Sequence, residues 1–283
     1  MKPGRASRTS EFVCMGRAIA DGATSVPRFS DPTALVLLPD RGRARVERMR
    51  AMNSNSVGVR ARFRREFMHR QATLMAVRTV AIDDAIRGVQ APQVVILGAG
   101  LDGRAWRMPE LRGATVFEVD HPDTQRDKRA RVGVLTQAAK EVRFVAVDFV
   151  RDDLSDALDR AGHDPARKTI WVWEGVVMYL TPADVEATLS VIERRSAPGS
   201  RVVILYHSPA LKLLLVGLVV RRMGEPLRSS FKPAAMRALL AKHGFDVARD
   251  RDLRAIGAEM SEEIARAAKP GAHMRVVTAD RVS

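Results

Sequence analysis

The sequence predicts an α/β fold in which a seven-stranded, mostly parallel sheet carries helices on both faces and follows an N-terminal helical extension. One observation is a change of apolar period near residue 90, from helical spacing before it to short runs after it. The other is that the later β-branched runs alternate with helical segments. This alternation is typical of parallel strands, because each crossover must return the chain across a face of the sheet.

Residues 1–90 are predicted to form the helical extension, or cap. Apolar residues recur at helical spacing in the stretches SEFVCMGRAIADG, DPTALVLLPD and REFMHRQATLMAVRTVAIDDAIRG. Pro27, Pro32, Pro39 and Gly88 separate or end these stretches, since proline and glycine interrupt helices. The extension is therefore expected to be all-helical.

Residues 91–283 are predicted to form the core that contains the sheet. Short β-branched runs mark five strands, and two later runs complete a sheet of seven. The predicted strands are Val94–Leu97, Thr115–Glu118, Val142–Val147, Thr169–Trp173, Arg201–Tyr206, Phe245–Arg249 and Arg275–Ala279. In an open sheet of this kind a ligand binds beyond the carboxyl ends of the strands, where the strand order reverses. Functional residues are therefore expected in the loops that follow the strands.

The chain is strongly basic, with 47 Lys and Arg against 33 Asp and Glu and a formal net charge of +14. Much of the positive charge lies in residues 41–70, which hold ten arginines and two acids. Clustered arginines suit the phosphates of a nucleic acid. However, Phe63 and Phe67 are the only aromatic residues of that segment, too few for a base-stacking surface. We therefore expect a solvated helix face, with an anionic partner or nucleic acid as the alternatives, and the scarcity of aromatic residues disfavours nucleic acid.

The expected compartment follows from cysteine content and hydropathy. Cys14 is the only cysteine, which excludes an internal disulfide and a multi-cysteine metal site and fits a reducing compartment. The apolar run 210–220 is about half as long as the roughly 18 residues of a spanning helix, and Lys212 and Gly217 interrupt it. The N-terminus lacks the apolar block of a signal peptide. We therefore expect a cytoplasmic protein without a membrane segment.

A glycine loop follows the first predicted strand, in the stretch VVILGAGLDGRAWRMPELRGATVFEVDHPD at 94–123. Gly98, Gly100 and Gly103 spell G-x-G-x-x-G, and Asp120 stands at about the spacing of a carboxylate that binds a ribose. Taken alone, this pattern fits a nicotinamide cofactor as well as other nucleoside cofactors.

Acidic residues also follow the strands. Asp102 lies in the glycine loop, Glu118 and Asp120 end the second strand, and Asp148 and Glu174 follow the third and fourth. Such acids would repel a pyrophosphate but attract a sulfonium, an α-amino group and ribose hydroxyls. S-adenosylmethionine, which carries no phosphate, therefore fits this pattern better than NAD.

Five motifs occur in order along the chain: RTVAIDDAI (78–86), QVVILGAGLDGRAWRM (93–108), VFEVDHPDTQRDK (116–128), AVDF (146–149) and WEGVVMYL (173–180). Together they resemble the leucine carboxyl methyltransferase-like family of class I S-adenosylmethionine-dependent methyltransferases, in particular its bacterial O-methyltransferase branch. Similarity in the opening residues and in 224–247 extends the resemblance to nearly the whole chain. It implies a Rossmann-like class I methyltransferase fold and S-adenosylmethionine as the cofactor.

The resemblance implies two residues at the methionine end of the cofactor. Arg78 is implied to meet the methionine carboxylate, by the bidentate pairing that a guanidinium makes with a carboxylate. Glu174 is implied to lie near the amino group, and a buried carboxylate at that position would need a partner. The alternatives are that Arg78 is a solvated arginine and that Glu174 is an exposed acid at a strand end.

The remaining implied contacts are with the nucleoside half of the cofactor. Asp120 is implied to bind the ribose hydroxyls, with Glu118 on the same strand face as a rival. The other implied contacts are Gly98 and Gly100, which let the backbone approach the cofactor, and the adenine-binding pair Asp148 and Phe149. A plain strand-to-helix connection is the alternative for the glycine turn.

The catalytic step places few demands on side chains. Methyl transfer from a sulfonium is an in-line displacement, so alignment and desolvation supply most of the catalysis. A general base is needed only if the acceptor is a hydroxyl or amine, and a carboxylate acceptor needs none. His207 and Tyr179, which follow the fifth and fourth strands, are the candidate catalytic residues, and a structural role is the alternative for the histidine. The other histidines show no metal-ligand spacing, and we expect no metal.

Residues 208–232 lie between the fifth and sixth predicted strands and are predicted to be a lid insertion. Their Leu and Val content indicates an acceptor with an apolar body. A packing or dimerisation helix is the alternative, and the oligomeric state stays open, with a homodimer as one option.

The leading prediction is an S-adenosylmethionine-dependent O-methyltransferase that acts on a carboxylate or hydroxyl of a small, largely apolar molecule. One alternative is an NAD-dependent oxidoreductase with the same glycine loop, which the late position of the loop and the strand-end acids weaken. The other is a non-catalytic basic binding protein on the same fold.

Overall fold

A computed structural model of the protein describes residues 8–51, 58–149, 151–210 and 227–282. Before the first strand, the described chain is helical, with α1 (Arg8–Ala20), α2 (Thr33–Leu37), α3 (Asp40–Ala51) and α4 (Val59–Arg87). α1 packs along α4. A Cβ atom on Gly16 would lie 2.8 Å from Cγ of Met75, so the glycine lets these two helices approach closely.

The sheet has seven strands in the order β3-β2-β1-β4-β5-β7-β6. Their bounds are β1 (Gln93–Leu97), β2 (Thr115–Asp120), β3 (Glu141–Ala146), β4 (Thr169–Trp173), β5 (Arg201–His207), β6 (Phe245–Asp252) and β7 (Met274–Arg281). The first five strands pair in parallel, and β7 is antiparallel to both β5 and β6. The strand order reverses between β1 and β4, which is where an open sheet of this type forms its ligand crevice.

Further helices connect and follow the strands. They are α5 (Arg104–Arg107), α6 (Pro122–Val132), α7 (Leu154–Arg160), α8 (Pro182–Arg194), α9 (Pro233–Lys242), α10 (Leu253–Ala258) and α11 (Glu262–Ala268). The start of α8 illustrates the local determinants: Thr181 and Asp184 form a reciprocal capping box, and Pro182 occupies the first helical position.

Apolar residues cover both faces of the sheet. Val94 and Ile96 of β1 face a core that includes residues of α1 and α4, whereas Val95 and Leu97 face a core shared with α7, α8 and α9. β1 and β4 are buried along their full length, as expected for central strands of a parallel sheet. The predicted seven-stranded, mostly parallel sheet with helices on both faces is therefore confirmed.

Two expectations concern segments outside the sheet. Residues 211–226, which form most of the predicted lid at 208–232, lie outside the described residues. In the ranges that the structure describes, no helix combines the length and the apolarity that crossing a membrane requires.

Candidate cofactor site

The glycine loop begins at the carboxyl end of β1, between the ends of β2 and β4. Leu97 pairs with Val119 on one side and with Trp173 on the other, so the loops after these three strands start side by side. The backbone amides of Gly98 and Ala99 both donate to the carbonyl of Val119, at 2.8 and 3.0 Å. Parallel pairing thus brings Gly98, Asp120 and Glu174 to one edge of the sheet.

Gly98 requires the absence of a side chain for two reasons. Its φ is 67°, in the left-handed region that favours glycine. A Cβ atom on it would also lie 2.1 Å from Cγ2 of Val176, in the loop after β4. This close approach explains why residue 98 is a glycine, which a plain strand-to-helix connection would not by itself require.

The cap helices close over the same loop. A Cβ atom on Gly100 would meet Cβ of Ser10 at 3.0 Å, and one on Gly103 would meet Oγ1 of Thr33 at 1.8 Å. Arg17 of α1 donates to the carbonyl of Leu101 at 2.6 Å. The N-terminal helices therefore pack directly on the glycine loop.

Asp120 holds the glycine loop with both carboxylate oxygens. Its Oδ2 accepts from the amide of Gly100 at 2.5 Å, and its Oδ1 accepts from the amide of His121 at 2.6 Å. Burial raises the pKa of Asp120, and the two backbone amides oppose that shift. Each oxygen has further lone pairs, so the carboxylate has acceptor capacity left for hydroxyl groups.

Glu118, the alternative to Asp120 as the ribose-binding acid, pairs with a lysine instead. Its side chain is 1% exposed and pairs with the equally buried Nζ of Lys128 at 2.7 Å. Nζ of Lys128 also lies 4.9 Å from the ring centroid of Trp106. Burial outweighs the lysine and raises the pKa of Glu118 to about 7. Of the two acids, Asp120 is the one in contact with the glycine loop.

Arg78 and Glu174 form a buried ion pair between α4 and the loop after β4. Nε and Nη2 of Arg78 both lie 2.5 Å from Oε1 of Glu174. The two side chains are 6% and 12% exposed. The interpretations of Arg78 as a solvated arginine and of Glu174 as an exposed strand-end acid are therefore wrong. The pair is held at the carboxyl edge of the sheet, where the glycine loop begins.

A set of buried charges that the sequence did not single out as site residues surrounds this pair. Arg104 donates to Oε2 of Glu174 at 2.7 Å and to Oδ1 of Asp83 at 2.7 Å, and it also pairs with Asp102. Burial alone would raise the pKa of Glu174, but Arg78 and Arg104 hold it well below its usual range. Asp83 could have been noticed, because it and Asp84 are the only charged residues in the largely apolar helical stretch TVAIDDAI.

The strand-end acids are largely neutralised. Glu174 pairs with two arginines, Asp102 pairs with Arg104, and Glu118 pairs with Lys128. The expectation that the strand-end acids would repel a pyrophosphate is therefore wrong for these three residues, because their charges are already paired.

Asp148 and Phe149 follow β3 and are half-buried. The amide of Val147 donates to the carbonyl of Asp120 at 2.9 Å, so this segment runs beside the end of β2. The backbone amide of Asp148 donates to the carboxylate of Asp152 at 2.8 Å. The predicted adenine-binding pair thus lies next along the edge that carries Asp120.

His207 ends β5 and is 6% exposed. Neither ring nitrogen has a hydrogen-bond partner in the described part of the chain. The imidazole packs edge-on to His273 with 5.0 Å between ring centroids. Burial, followed by the neighbouring His273 and Arg78, lowers the pKa of His207 to about 3.

Tyr179 lies in the 3₁₀ turn Val177–Tyr179 after β4 and is half-buried. Residues after the undescribed segment connect this turn to the end of β5. The amide of Arg228 donates to the carbonyl of Met178 at 2.7 Å, and the amide of Phe231 donates to that of His207 at 2.9 Å. The elements that carry the two candidate catalytic residues are thus joined. Within the described ranges, no group of three or more metal-ligating residue types could hold a metal ion.

Comparison with known families and proteins concerns the chain as a whole. The family model described as leucine carboxyl methyltransferase matches residues 10–193. A protein of Mycobacterium sp. (strain JLS), named as an inferred S-adenosyl-L-methionine-dependent methyltransferase, is 39% identical over 156 residues, which are 55% of this chain and 52% of that protein. A relative of the same name from Mycobacterium marinum (strain ATCC BAA-535 / M) is 33% identical over 213 residues, 70% of this chain and 65% of that one. The chain spans about half the length of the first of these relatives.

Solved structures share the fold at low sequence identity. An S-adenosylmethionine-dependent methyltransferase from Archaeoglobus fulgidus is similar with a TM-score of 0.50 and 16% identity, over 75% of this chain and 94% of that one. A protein from Bordetella parapertussis described as a possible exported protein is similar with a TM-score of 0.54 and 17% identity, over the whole of both chains. These similarities support the α/β fold.

Proposed function

Since the chain belongs to the leucine carboxyl methyltransferase family, we propose that it transfers a methyl group from S-adenosylmethionine to a carboxylate or hydroxyl oxygen of a small, largely apolar molecule. The observation that carries this proposal is the buried Arg78–Glu174 pair beside the glycine loop. It supplies one cation and one anion at the sheet edge, as the zwitterionic end of the cofactor requires. An NAD-dependent oxidoreductase, the alternative that shares the loop motif, does not belong to this family.

The residues at this edge fit S-adenosylmethionine from end to end. Arg78 would bind the methionine carboxylate and Glu174 the amino group, by charge-assisted hydrogen bonds. Gly98 and Gly100 would let the backbone approach the cofactor, and Asp120 would accept from the ribose hydroxyls. Asp148 and Phe149 would contact the adenine. When bound, the cofactor supplies the methyl group as part of an electrophilic sulfonium.

The protein's own contribution is orientation and the exclusion of water. Glu174 is held by Arg104 and Asp120 by the amide of Gly100, so these two carboxylates are positioned before the cofactor arrives. The cap helices pack on the glycine loop and keep solvent from that side. Fixed alignment in a dry site is what an in-line displacement needs most.

His207 supports a carboxylate rather than a hydroxyl as the acceptor group. With its pKa lowered to about 3, the buried imidazole is neutral at physiological pH and would be a weak base. General bases work best when their pKa lies near the working pH. A neutral imidazole near Arg78 would instead donate a hydrogen bond from its ring N–H to the carboxylate of the acceptor, and the hydroxyl of Tyr179 is the second candidate donor. A carboxylate loses no proton on methylation, so it needs neither residue as a base.

The charge and composition of flanking segments support an anionic acceptor with an apolar body. The arginine-rich segment 41–70 would attract a carboxylate over a distance, and this attraction weakens as salt screens it. The Leu and Val content of residues 210–220, most of which lie outside the described residues, favours an acceptor with an apolar body.

Calorimetric titration with S-adenosylhomocysteine and with NAD tests the cofactor assignment. We expect the first to bind and the second not to bind, and the reverse result would refute the proposal. The acceptor assignment is tested by product formation across carboxylic acids, phenols and aliphatic alcohols of similar apolar size, at low and high salt. Activity confined to a peptide or to a nucleic acid would contradict it even if the cofactor site proved correct.

A further inference from the structure

Arg104 contacts Glu174 of the Arg78–Glu174 pair, and its side chain is 1% exposed. Its Nε donates to Asp83 of α4, and its Nη1 donates both to Glu174 and to Asp102 of the glycine loop. One guanidinium therefore connects α4, the glycine loop and the loop after β4. The planar fork of an arginine suits this task, because a lysine would bring a single nitrogen to the three carboxylates.

Glu174 divides its two oxygens between its two arginines. Oε1 accepts from Nε and Nη2 of Arg78, and Oε2 accepts from Nη1 of Arg104 at 2.7 Å. Arg78 and the amino group of a bound cofactor would compete for Oε1. Arg104 is already occupied by Oε2 and by two further carboxylates.

We propose that Arg104 is a positioning residue: it holds Oε2 of Glu174 so that Oε1 stays in place and ionised when Arg78 turns from Glu174 to the carboxylate of the cofactor. This inference rests on the proposed function, because it assigns the Arg78–Glu174 pair to the methionine end. A buried carboxylate that lost its only cation would take up a proton or turn away. Arg104 prevents both outcomes during the exchange of partners.

Arg107 provides a matched control on the same short helix. It is also buried and pairs with both oxygens of Asp83, at 2.7 and 3.0 Å. Among the described residues its ion pairs are with Asp83 and Asp31, not with Glu174. Replacing Arg107 therefore disturbs the same buried charges while leaving the Glu174 contact intact.

The test compares two ligands by calorimetric titration of the full chain. S-adenosylhomocysteine carries the amino and carboxylate groups, whereas 5′-methylthioadenosine has the same nucleoside and sulfur without them. In Arg104→Met we expect affinity for S-adenosylhomocysteine to fall about tenfold or more, and affinity for 5′-methylthioadenosine to change less than about twofold, because a charge-assisted contact is lost only at the methionine end. Arg104→Lys should restore part of the loss, and Arg107→Met should leave the ratio of the two affinities unchanged.

The pH dependence of S-adenosylhomocysteine binding gives a second readout. The charged groups facing Glu174 are Arg17 from α1, Arg78 from α4, Arg104 from α5 and Asp102 from the glycine loop. Asp83 of α4 pairs with Arg104 behind them. Without Arg104, the pKa of Glu174 rises, so affinity should fall more steeply from about pH 8 to about pH 5 than in the wild type or in Arg107→Met. Glu118 is present in the wild type and in both variants, so its titration contributes to all three pH profiles and does not account for a difference between them.

Equal losses for both ligands in Arg104→Met, or an unchanged affinity for S-adenosylhomocysteine, would overturn the inference. If 5′-methylthioadenosine binds too weakly to measure, identical pH profiles in the wild type and Arg104→Met would overturn it. If Arg104→Met does not fold, the two ligand affinities and the pH profile are measured with Arg104→Lys instead. A wild-type protein that fails to bind S-adenosylhomocysteine would refute the proposed function itself, which is a distinguishable result.

Discussion

Replacing Arg78 with methionine tests the proposed cofactor site most directly. The substitution keeps much of the length of the side chain and removes the guanidinium, whose Nε and Nη2 lie 2.5 Å from Oε1 of Glu174. Glu174 retains Arg104 at its other oxygen, so the carboxylate is not left without a cation. The variant is therefore expected to fold, with a stability loss below the roughly 3–5 kcal/mol that follows when a buried pair is broken outright.

The expected effect on binding follows from the contact that the cofactor loses. In the proposed site the cofactor's carboxylate loses its charge-assisted partner, which is worth about 1.5–3 kcal/mol. At about 1.4 kcal/mol for each factor of ten, affinity for S-adenosylhomocysteine should fall about 10- to 100-fold. The remaining contacts at Gly100 and Asp120 keep the affinity measurable.

The assay is calorimetric titration of Arg78→Met and of the control Arg70→Met with S-adenosylhomocysteine. Arg70 lies on the same helix but is exposed and pairs with Glu66, a surface contact worth little. We expect the control to bind like the wild type. Wild-type affinity in Arg78→Met would show that Arg78 does not bind the cofactor and that the pair with Glu174 is purely structural.

Three further predictions follow from individual residues. Gly98→Ala should lower the melting temperature and weaken S-adenosylhomocysteine binding, because of the positive φ and the 2.1 Å approach to Val176, whereas Gly133→Ala, with open space around it, should do neither. His207→Ala should leave methylation of the accepted substrate within a few-fold of wild type if the acceptor group is a carboxylate, and a loss of about 10²–10⁴-fold would instead indicate a general base and a hydroxyl acceptor. Burial raises the pKa of Cys14 to about 11, so the thiol should resist iodoacetamide at about pH 8 in the folded protein and react once urea unfolds it, and rapid labelling of the folded protein would contradict its burial.

The local part of the site could be predicted from the sequence because its signals are short-range. β-branched runs alternating with helical spacing indicated the strands, and Thr169–Trp173 agrees with β4 to the residue. The glycines of the loop after β1 were recognisable from their spacing alone, and Asp120 from its distance to them. Parallel pairing then implied that the residues following these strands share one edge.

The partners of the charged residues could not be predicted in the same way. Arg78 and Glu174 are 96 positions apart, and Arg104 and Glu174 are 70 apart. No periodicity links such residues, because periodicity reports only which face of an element is buried. The sequence therefore suggested acids without partners at the ends of the strands, whereas the structure places Asp102, Glu118 and Glu174 in buried ion pairs.

The order of strands and helices along the chain, the glycine loop and the residue types at the sheet edge were all readable from the sequence. The tertiary structure decided which acid meets the loop and which meets a cation: Asp120 caps Gly100, whereas Glu118, two residues earlier on the same strand, is buried against Lys128. The reason is that the energy of a charge depends on its distance to other charges and on its exclusion from water. Both quantities arise only when elements distant in sequence pack together.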